Sequence, residues 1–354
     1  SRIPVPGTAA GGLPILKAII EEYARPEDDP WAVMHGIRAM GRDFSFKGER
    51  AVDYLCSRFL KEKMVSGKGY LCMPSEYEGH TNPFLKTLLE AGTPLSHPFK
   101  VDGRRFMVGD LAAGAKALFS FDPASIDPDD IAWSLIAFSL STSPEKDGWA
   151  NAYGRQIRLR DVIRFGFDTL DRVTARYRKA KDQGVMPEAV DEVNGFTCGG
   201  THLLYGLASC VGNGHGGQGA KERLKAHLDL MIWRLGADDR LMDRFYQKLS
   251  SPSGRSPGEQ MSYALYRNDA KIKFYGHFFE IMSYVTHKGL LTPTSEQASA
   301  VQKAGTVLTR AVQGIEGADL FEVKRQNQKL YRLLIGDSCH AYHGINMTPG
   351  VNQI

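Results

Sequence analysis

The sequence has 354 residues, of which 42% are hydrophobic and 24% charged, a composition that supports a large buried core and a soluble surface. Lysine and arginine (44) nearly balance aspartate and glutamate (40). No basic run indicates a nucleic-acid-binding tract, and no apolar run is long enough to span a bilayer. Five widely spread cysteines do not form a disulfide framework, and a single bridge is the alternative if the protein is exported.

Helical periodicity dominates the chain. After a flexible N-terminal segment over 1–12, we predict helices over 13–24, 29–44, 49–64, 82–92, 109–121, 128–140 and 158–184. The second half continues with helices over 199–211, 219–235, 238–249, 269–288, 294–315, 322–336 and 338–345. Extended structure is confined to a hairpin over 99–110 and a short strand over 69–74. Glycine, serine and proline predict loops over 212–219 and 251–260, the second of which is a candidate lid.

This series of helices predicts an all-α fold. No repeat of fixed period is visible, which excludes the common helical arrays. A dozen helices in hairpins can close into an α/α toroid, and we predict such a toroid with a small β-hairpin insertion, as one domain over 1–354. A multi-layer helical bundle is the alternative.

Three stretches in the second half of the chain carry residues with catalytic or metal-binding chemistry. They are Cys198-Gly-Gly-Thr-His202, Gly276-His277-Phe-Phe-Glu280 and Cys339-His340-Ala-Tyr-His343-Gly344. Residues three or four apart lie on one helix face, so each stretch can bring its functional side chains together. Imidazole, thiolate and carboxylate form a natural metal shell and equally a natural acid–base set. The structural alternative is that these side chains are ordinary buried residues.

We assign roles within these stretches. His277, Glu280 and His343 are predicted to perform acid–base catalysis. Cys198, His202 and His340 are the predicted metal ligands, with zinc as the expected ion. The two glycines after Cys198 are expected in the turn that opens a helix, where they leave room for a ligand.

The first half of the chain offers candidates for substrate contact. The polar stretch 75–83 carries Glu76 and His80, and Trp149 lies further along. The residue types of 75–83 suit a polar substrate such as a carbohydrate, or a metal, whereas a capped turn is the structural alternative for this stretch and the one we favour. Asp127-Pro-Asp-Asp resembles the D-x-D-D acid motif of class II terpene cyclases, but it also fits a helix start with Asp127 as the N-cap, and we favour the cap.

The three motifs C-G-G-T-H, G-H-x-x-E and H-A-x-H-G resemble those of a group of uncharacterised bacterial helical proteins. That resemblance implies a toroidal fold, distantly similar to terpenoid cyclases, prenyltransferases and lanthionine cyclases. Cys339-His340 resembles the Cys-His pair that binds zinc in lanthionine cyclases, and Cys198 would stand for that family's remaining cysteine. A shared fold does not imply a shared activity.

The leading hypothesis is an enzyme with a central polar cavity, which performs metal-assisted or His/Glu acid–base hydrolysis or elimination on a small polar molecule or glycan. The alternative is a non-enzymatic helical scaffold or accessory subunit that binds a protein partner. No nucleic-acid partner and no transmembrane segment are expected. The sequence leaves open whether the protein is cytoplasmic or exported after removal of a leader.

Overall fold

A computed structural model of the chain describes residues 7–187, 197–249 and 257–347. These residues are mostly helical and their only sheets are small two-stranded ones, so the predicted all-α fold with a β-hairpin insertion is confirmed. Toroidal closure stays a prediction. The described residues fall into two compact units. Unit 1 comprises those of Ser1–Ala24, Asp171–Thr201 and Lys225–Met347, and unit 2 comprises Arg25–Leu170 and His202–Leu224. A single domain over 1–354 stays a prediction.

The helices of the described residues are numbered α1 to α16 along the chain. The first eight are α1 (Gly7–Ala10), α2 (Leu13–Tyr23), α3 (Pro30–Met40), α4 (Ala51–Phe59), α5 (Ser75–Glu78), α6 (Pro83–Glu90), α7 (Val108–Leu118) and α8 (Ala132–Ser141). The later ones are α9 (Leu159–Val173), α10 (Ala175–Asp182), α11 (Thr201–Gly212), α12 (Ala220–Leu249), α13 (Pro257–His287), α14 (Ser295–Gln313), α15 (Leu320–Gln326) and α16 (Gln328–Asn346).

Four antiparallel hairpins interrupt the helices in the described part of unit 2. Their strands are β1 (Ser45–Phe46) with β2 (Glu49–Arg50), β3 (Lys61–Val65) with β4 (Lys68–Cys72), β5 (Pro98–Val101) with β6 (Arg104–Met107), and β7 (Gly148–Ala150) with β8 (Gln156–Arg158). The third hairpin is the one predicted over 99–110, and its turn residues Asp102 and Gly103 have φ angles of 48° and 78°. Two positive φ angles are those of the type I′ turn that suits hairpins.

Some predicted helix limits are wrong. The helix over 49–64 ends at Phe59, because residues 61–65 pair with residues 68–72 as a hairpin that turns at Ser66-Gly67. The strand predicted over 69–74 is the second arm of that hairpin. The helix over 158–184 is two helices separated at Thr174, whose ψ of 3° leaves the helical range.

The other differences lie in unit 1. The helices predicted over 219–235 and 238–249 form the single helix α12, because Gly236 continues the helix. The boundary between the last two helices was predicted at residue 337, but it lies at Asn327. The side chain of Asn327 caps α16 by accepting a hydrogen bond from the backbone N–H of Leu330. Residues 7–10 of the expected flexible segment are helical. The candidate lid is helical from Pro257, and its residues 251–256 lie outside the described residues.

Helices α13 and α16 of unit 1 pack closely and run in the same direction. A Cβ atom added to Gly276 would lie 2.9 Å from the backbone nitrogen of Ala341. A Cβ added to Gly344 would lie 2.6 Å from the backbone nitrogen of Glu280. The two glycines therefore allow a backbone-to-backbone approach that larger residues would block. This close contact brings the motifs around His277 and His340 together.

Candidate functional site

Cys198 lies in a left-handed turn that precedes α11. The φ angles of Cys198, Gly199 and Gly200 are 55°, 65° and 80°. The glycines thus stand outside the helix, as predicted, in a conformation that glycine adopts without strain. Cys198 adopts the same conformation with a side chain, which is uncommon for a residue other than glycine. Because Cys198 is not helical, helical spacing does not relate it to His202, and the joint role of the two residues as metal ligands stays a prediction.

Glu280 on α13 interacts with three histidines of unit 1. Its Oε2 atom lies 3.2 Å from Nδ1 of His277 and 3.0 Å from Nδ1 of His340. Its Oε1 atom lies 2.8 Å from Nδ1 of His343. His277 precedes Glu280 by one turn of α13, and His340 and His343 are one turn apart on α16. We call these four residues the His–Glu cluster. It unites two of the three motifs.

The His–Glu cluster is buried, which determines how its protons are arranged. Glu280 is 0% exposed, His277 3% and His340 6%, while the side chain of His343 is 13% exposed. An ionised carboxylate is tolerated at such a place only when it receives hydrogen bonds. Each Nδ1 is therefore assigned as a donor to Glu280. In a neutral imidazole the other nitrogen, Nε2, then carries the lone pair.

Cys198 lies next to this cluster. Its Sγ atom is within 4.8 Å of a ring nitrogen of His277. The Cys198 thiolate, together with Asp337, raises the pKa of Lys273, which precedes His277 by one turn of α13. Thiolate and imidazole are the ligands that zinc prefers in proteins. A ligand atom from each of His277, Glu280 and His340 also falls within one 4.8 Å group.

Further polar residues extend the cluster along both helices. On α13 the spacing of four, four and three residues places a charged or titratable side chain at every turn, and α16 repeats the pattern at intervals of three. We call this set the polar seam. Its members are Asp269, Lys273, His277 and Glu280 of α13, and Asp337, His340 and His343 of α16.

Asp269, Lys273 and Asp337 were not predicted as site residues. Burial raises the pKa of Asp337 to about 7, and repulsion from Glu280 adds to this effect, whereas Lys273 lowers it. Burial and repulsion from Asp337 raise the pKa of Asp269 well above its ordinary value. Lys273 and Asp269 lie one and two helical turns before His277, and Asp337 lies one turn before His340. A search of the sequence at intervals of three or four residues would therefore have identified all three.

The remaining predicted site residues belong to unit 2. His202 is buried, with its ring 4.3 Å from that of Trp133. The half-buried ring of His80 lies 5.9 Å from that of His202, and Glu76 is exposed on α5. Trp149 donates a hydrogen bond from its indole nitrogen to the carbonyl of Lys116 at 2.8 Å. The substrate-binding roles of Glu76, His80 and Trp149 stay predictions.

The cap interpretation of Asp127 is confirmed. Its carboxylate accepts a hydrogen bond from the backbone N–H of Asp129 at 3.0 Å, in the short 3-10 helix Pro128–Asp130 that precedes α8. This is the N-cap geometry that satisfies an otherwise unpaired backbone donor. The resemblance to the D-x-D-D motif therefore needs no catalytic explanation.

The comparisons with known proteins identify no relative. No family model, no curated protein and no solved structure matches the chain. None of the helices in the described residues combines the length and the apolar composition that a bilayer crossing requires. The resemblance to a group of bacterial helical proteins stays a prediction.

Proposed function

We propose that the protein is an enzyme whose reaction centre is the His–Glu cluster, and that this cluster binds a divalent transition metal together with Cys198. The observation that carries the proposal is the convergence of three Nδ1 atoms, at 2.8–3.2 Å, on one buried carboxylate. Histidines that bind metals commonly donate their other ring N–H to a carboxylate, which fixes the ring and its tautomer. Glu280 acts in this way on all three histidines.

The donor set suits zinc. His277 belongs to two groups of close ligand atoms, one with the Sγ atom of Cys198 and one with Glu280 and His340, and such nitrogen and sulfur ligands are those that Zn²⁺ prefers over the harder divalent ions. The buried carboxylate of Glu280 supplies the negative charge that a cation needs nearby. In this arrangement His340 and Cys198 keep the role expected from the sequence, while His277 changes from catalytic base to ligand.

The proposed chemistry is hydrolysis or elimination on a polar substrate, with carbohydrates as one class. A zinc ion would act as a Lewis acid that polarises the substrate oxygen. His343 is the most exposed member of the cluster, so it is the group proposed to exchange a proton with substrate. Glu280 holds the His343 ring in place through the 2.8 Å contact. In this role Glu280 is a positioning residue.

A second candidate function is a non-enzymatic scaffold or accessory subunit that binds a protein partner. The nearly complete burial of Glu280, His277 and His340 favours it, because a substrate must reach a catalytic group. In that case a metal at the cluster would stabilise the fold only.

Elemental analysis of protein purified without chelator tests the proposed metal centre. We expect near-stoichiometric zinc in the wild type and its loss in a Cys198→Ala/His340→Ala variant. His287→Ala, which changes an exposed histidine of α13, is the matched control and should retain the metal. Equal metal content in the two variants, or none in the wild type, contradicts the proposal.

A second experiment separates enzyme from scaffold. His343→Gln should retain zinc and a native circular dichroism spectrum but lose activity against a panel of glycosides, esters and phosphoesters. If wild-type protein loaded with zinc turns over no member of the panel, the scaffold function is favoured.

A further inference from the structure

Unit 1 contains a second concave site, a cavity of about 930 Å³ between α10, α12, α13 and α14. Cavities that hold small molecules in proteins commonly have volumes of about 300–1,000 Å³. None of the described residues that line it belongs to the His–Glu cluster or the polar seam. The exposed side chains of Glu296 and Lys303, both on α14, place its mouth at the protein surface. A ligand can therefore enter this cavity from solvent.

Part of the cavity wall is apolar and carries an aromatic ring. Ile232, Leu235 and Ala304 are buried and line it. The half-buried indole of Trp233 also lines the cavity, and among the residues that the structure describes it makes no ring contact and no hydrogen bond. The indole N–H of a tryptophan usually finds an acceptor when the ring is buried. Trp233 thus offers a flat apolar surface and a polar N–H group to a ligand.

Two of the acidic residues that line the cavity are already neutralised by lysines. Nζ of Lys225 lies 2.6 Å from Oδ2 of Asp229. Nζ of Lys271 lies 3.1 Å from Oδ1 of Asp239. A second aspartate shares the ammonium group of Lys271, but it also pairs with an arginine of its own, so the charges of this network balance. Neither Asp229 nor Asp239 needs a cation from a ligand.

The other charged side chains of the cavity leave one positive charge in excess. They are Lys181, Lys303 and Glu296. None of the three forms an ion pair with another described residue. Two ammonium groups therefore face a single carboxylate at this cavity. A ligand with a negative charge balances the excess, and lysine binds carboxylates, sulfates and phosphates as a compact point charge.

We propose that this cavity binds a small organic anion with a flat apolar body. The body packs against Trp233 and the apolar wall, while Lys181 and Lys303 bind the anionic group. Such a ligand matches both features that the cavity leaves open, the indole without a ring partner and the excess positive charge. The proposal goes beyond the His–Glu cluster and does not depend on it, so protein without metal or activity also tests it.

Fluorescence titration with two matched probes tests the proposal. Anilinonaphthalene sulfonate has a flat aromatic body and an anionic group, whereas phenylnaphthylamine has the same body without the charge. For Lys181→Gln/Lys303→Gln we expect the affinity for the sulfonate probe to fall at least about fivefold, while the affinity for the neutral probe stays unchanged. Lys61→Gln/Lys100→Gln, which removes two exposed lysines of unit 2, is the matched control and should retain both affinities. Equal losses in the two double variants, or no binding of the sulfonate probe by the wild type, overturn the proposal.

The variant Ala300→Trp locates the bound probe. Ala300 of α14 is half-buried and lines the cavity, so an indole at this position fills the space that the ligand needs. We expect a native circular dichroism spectrum and the loss of most of the affinity for both probes. Unchanged affinities show that the probes bind elsewhere and refute the site. If Ala300→Trp does not fold, the lysine variants still decide.

Sedimentation tests the other possible occupant, a second copy of the chain. We expect the wild type and Ala300→Trp to have the same oligomeric state. A wild type that is dimeric and an Ala300→Trp variant that is monomeric show that another copy covers the cavity, which overturns the proposal.

Discussion

Replacing Gly344 by alanine tests the close packing of α13 against α16, on which the His–Glu cluster depends. A Cβ atom at this position would lie 2.6 Å from the backbone nitrogen of Glu280 and 2.9 Å from the carbonyl oxygen of Gly276. Both are backbone atoms inside a helix, so no side-chain rotation relieves the clash. The two helices must move apart, and the contact between Glu280 and His343 must lengthen with them.

The size of the effect follows from a comparison with Gly236 in α12. A Cβ at Gly236 would meet only the flexible end of Met186, at an ordinary distance of 3.8 Å. Alanine is better than glycine inside a helix by about 1 kcal/mol, so Gly236→Ala should stabilise the protein by about that much. At Gly344 the same gain is opposed by an overpacking cost of about 1–3 kcal/mol. We therefore expect Gly344→Ala to be less stable than Gly236→Ala by about 1–3 kcal/mol.

Urea denaturation followed by circular dichroism measures this difference. The metal content of the two variants gives a second, independent readout, because only Gly344→Ala moves His340 of α16 away from His277 and Glu280 of α13. We expect Gly236→Ala to retain zinc and Gly344→Ala to lose most of it. If the two variants have the same free energy of unfolding, α13 and α16 do not touch at Gly344, and the reasoning on the cluster fails.

Three further predictions concern single side chains. Burial raises the pKa of Glu78 from 4.5 to about 8, so the folded protein loses stability as the pH rises through this interval, by up to about 4 kcal/mol between pH 5 and 8. Glu78→Gln should give a flatter dependence of the urea midpoint on pH, and an unchanged slope contradicts the assignment. Thr294→Ala removes the N-cap of α14 and should lower the free energy of unfolding by about 1 kcal/mol, as measured in urea. Trp149→Phe loses the hydrogen bond to Lys116 and should be less stable by at least about 1 kcal/mol, whereas a role in substrate contact alone leaves stability unchanged.

The part of the site that could be predicted is the part with local spacing. His277 and Glu280, like His340 and His343, are separated by one helical turn, and a helix turns such spacing directly into contact. The pairing of α13 with α16 is a long-range feature that no local spacing specifies. The local sequence indicates this pairing through Gly276 and Gly344, the glycines beside the two motifs, because they lie where the two helices touch.

Local spacing failed where the backbone left the expected helix. Cys198 and His202 are four residues apart, but Cys198 has a positive φ angle, so the spacing carries no helix-face relation. The strand over 61–65 was missed for a related reason. Its residues have no apolar alternation of their own, and pairing with 68–72 stabilises the extended form.

The polar seam is the strongest reason to favour a function over a structural role for these residues. Replacing buried charges with well-packed apolar side chains often leaves a protein equally stable or makes it more stable. Two long helices in close contact have no structural need for Asp269, Lys273, Glu280 and Asp337 at their interface. The chain nevertheless places them there, next to three histidines that point at one carboxylate. Such clusters of shifted pKa values concentrate at functional sites, which supports the proposed reaction centre between α13 and α16.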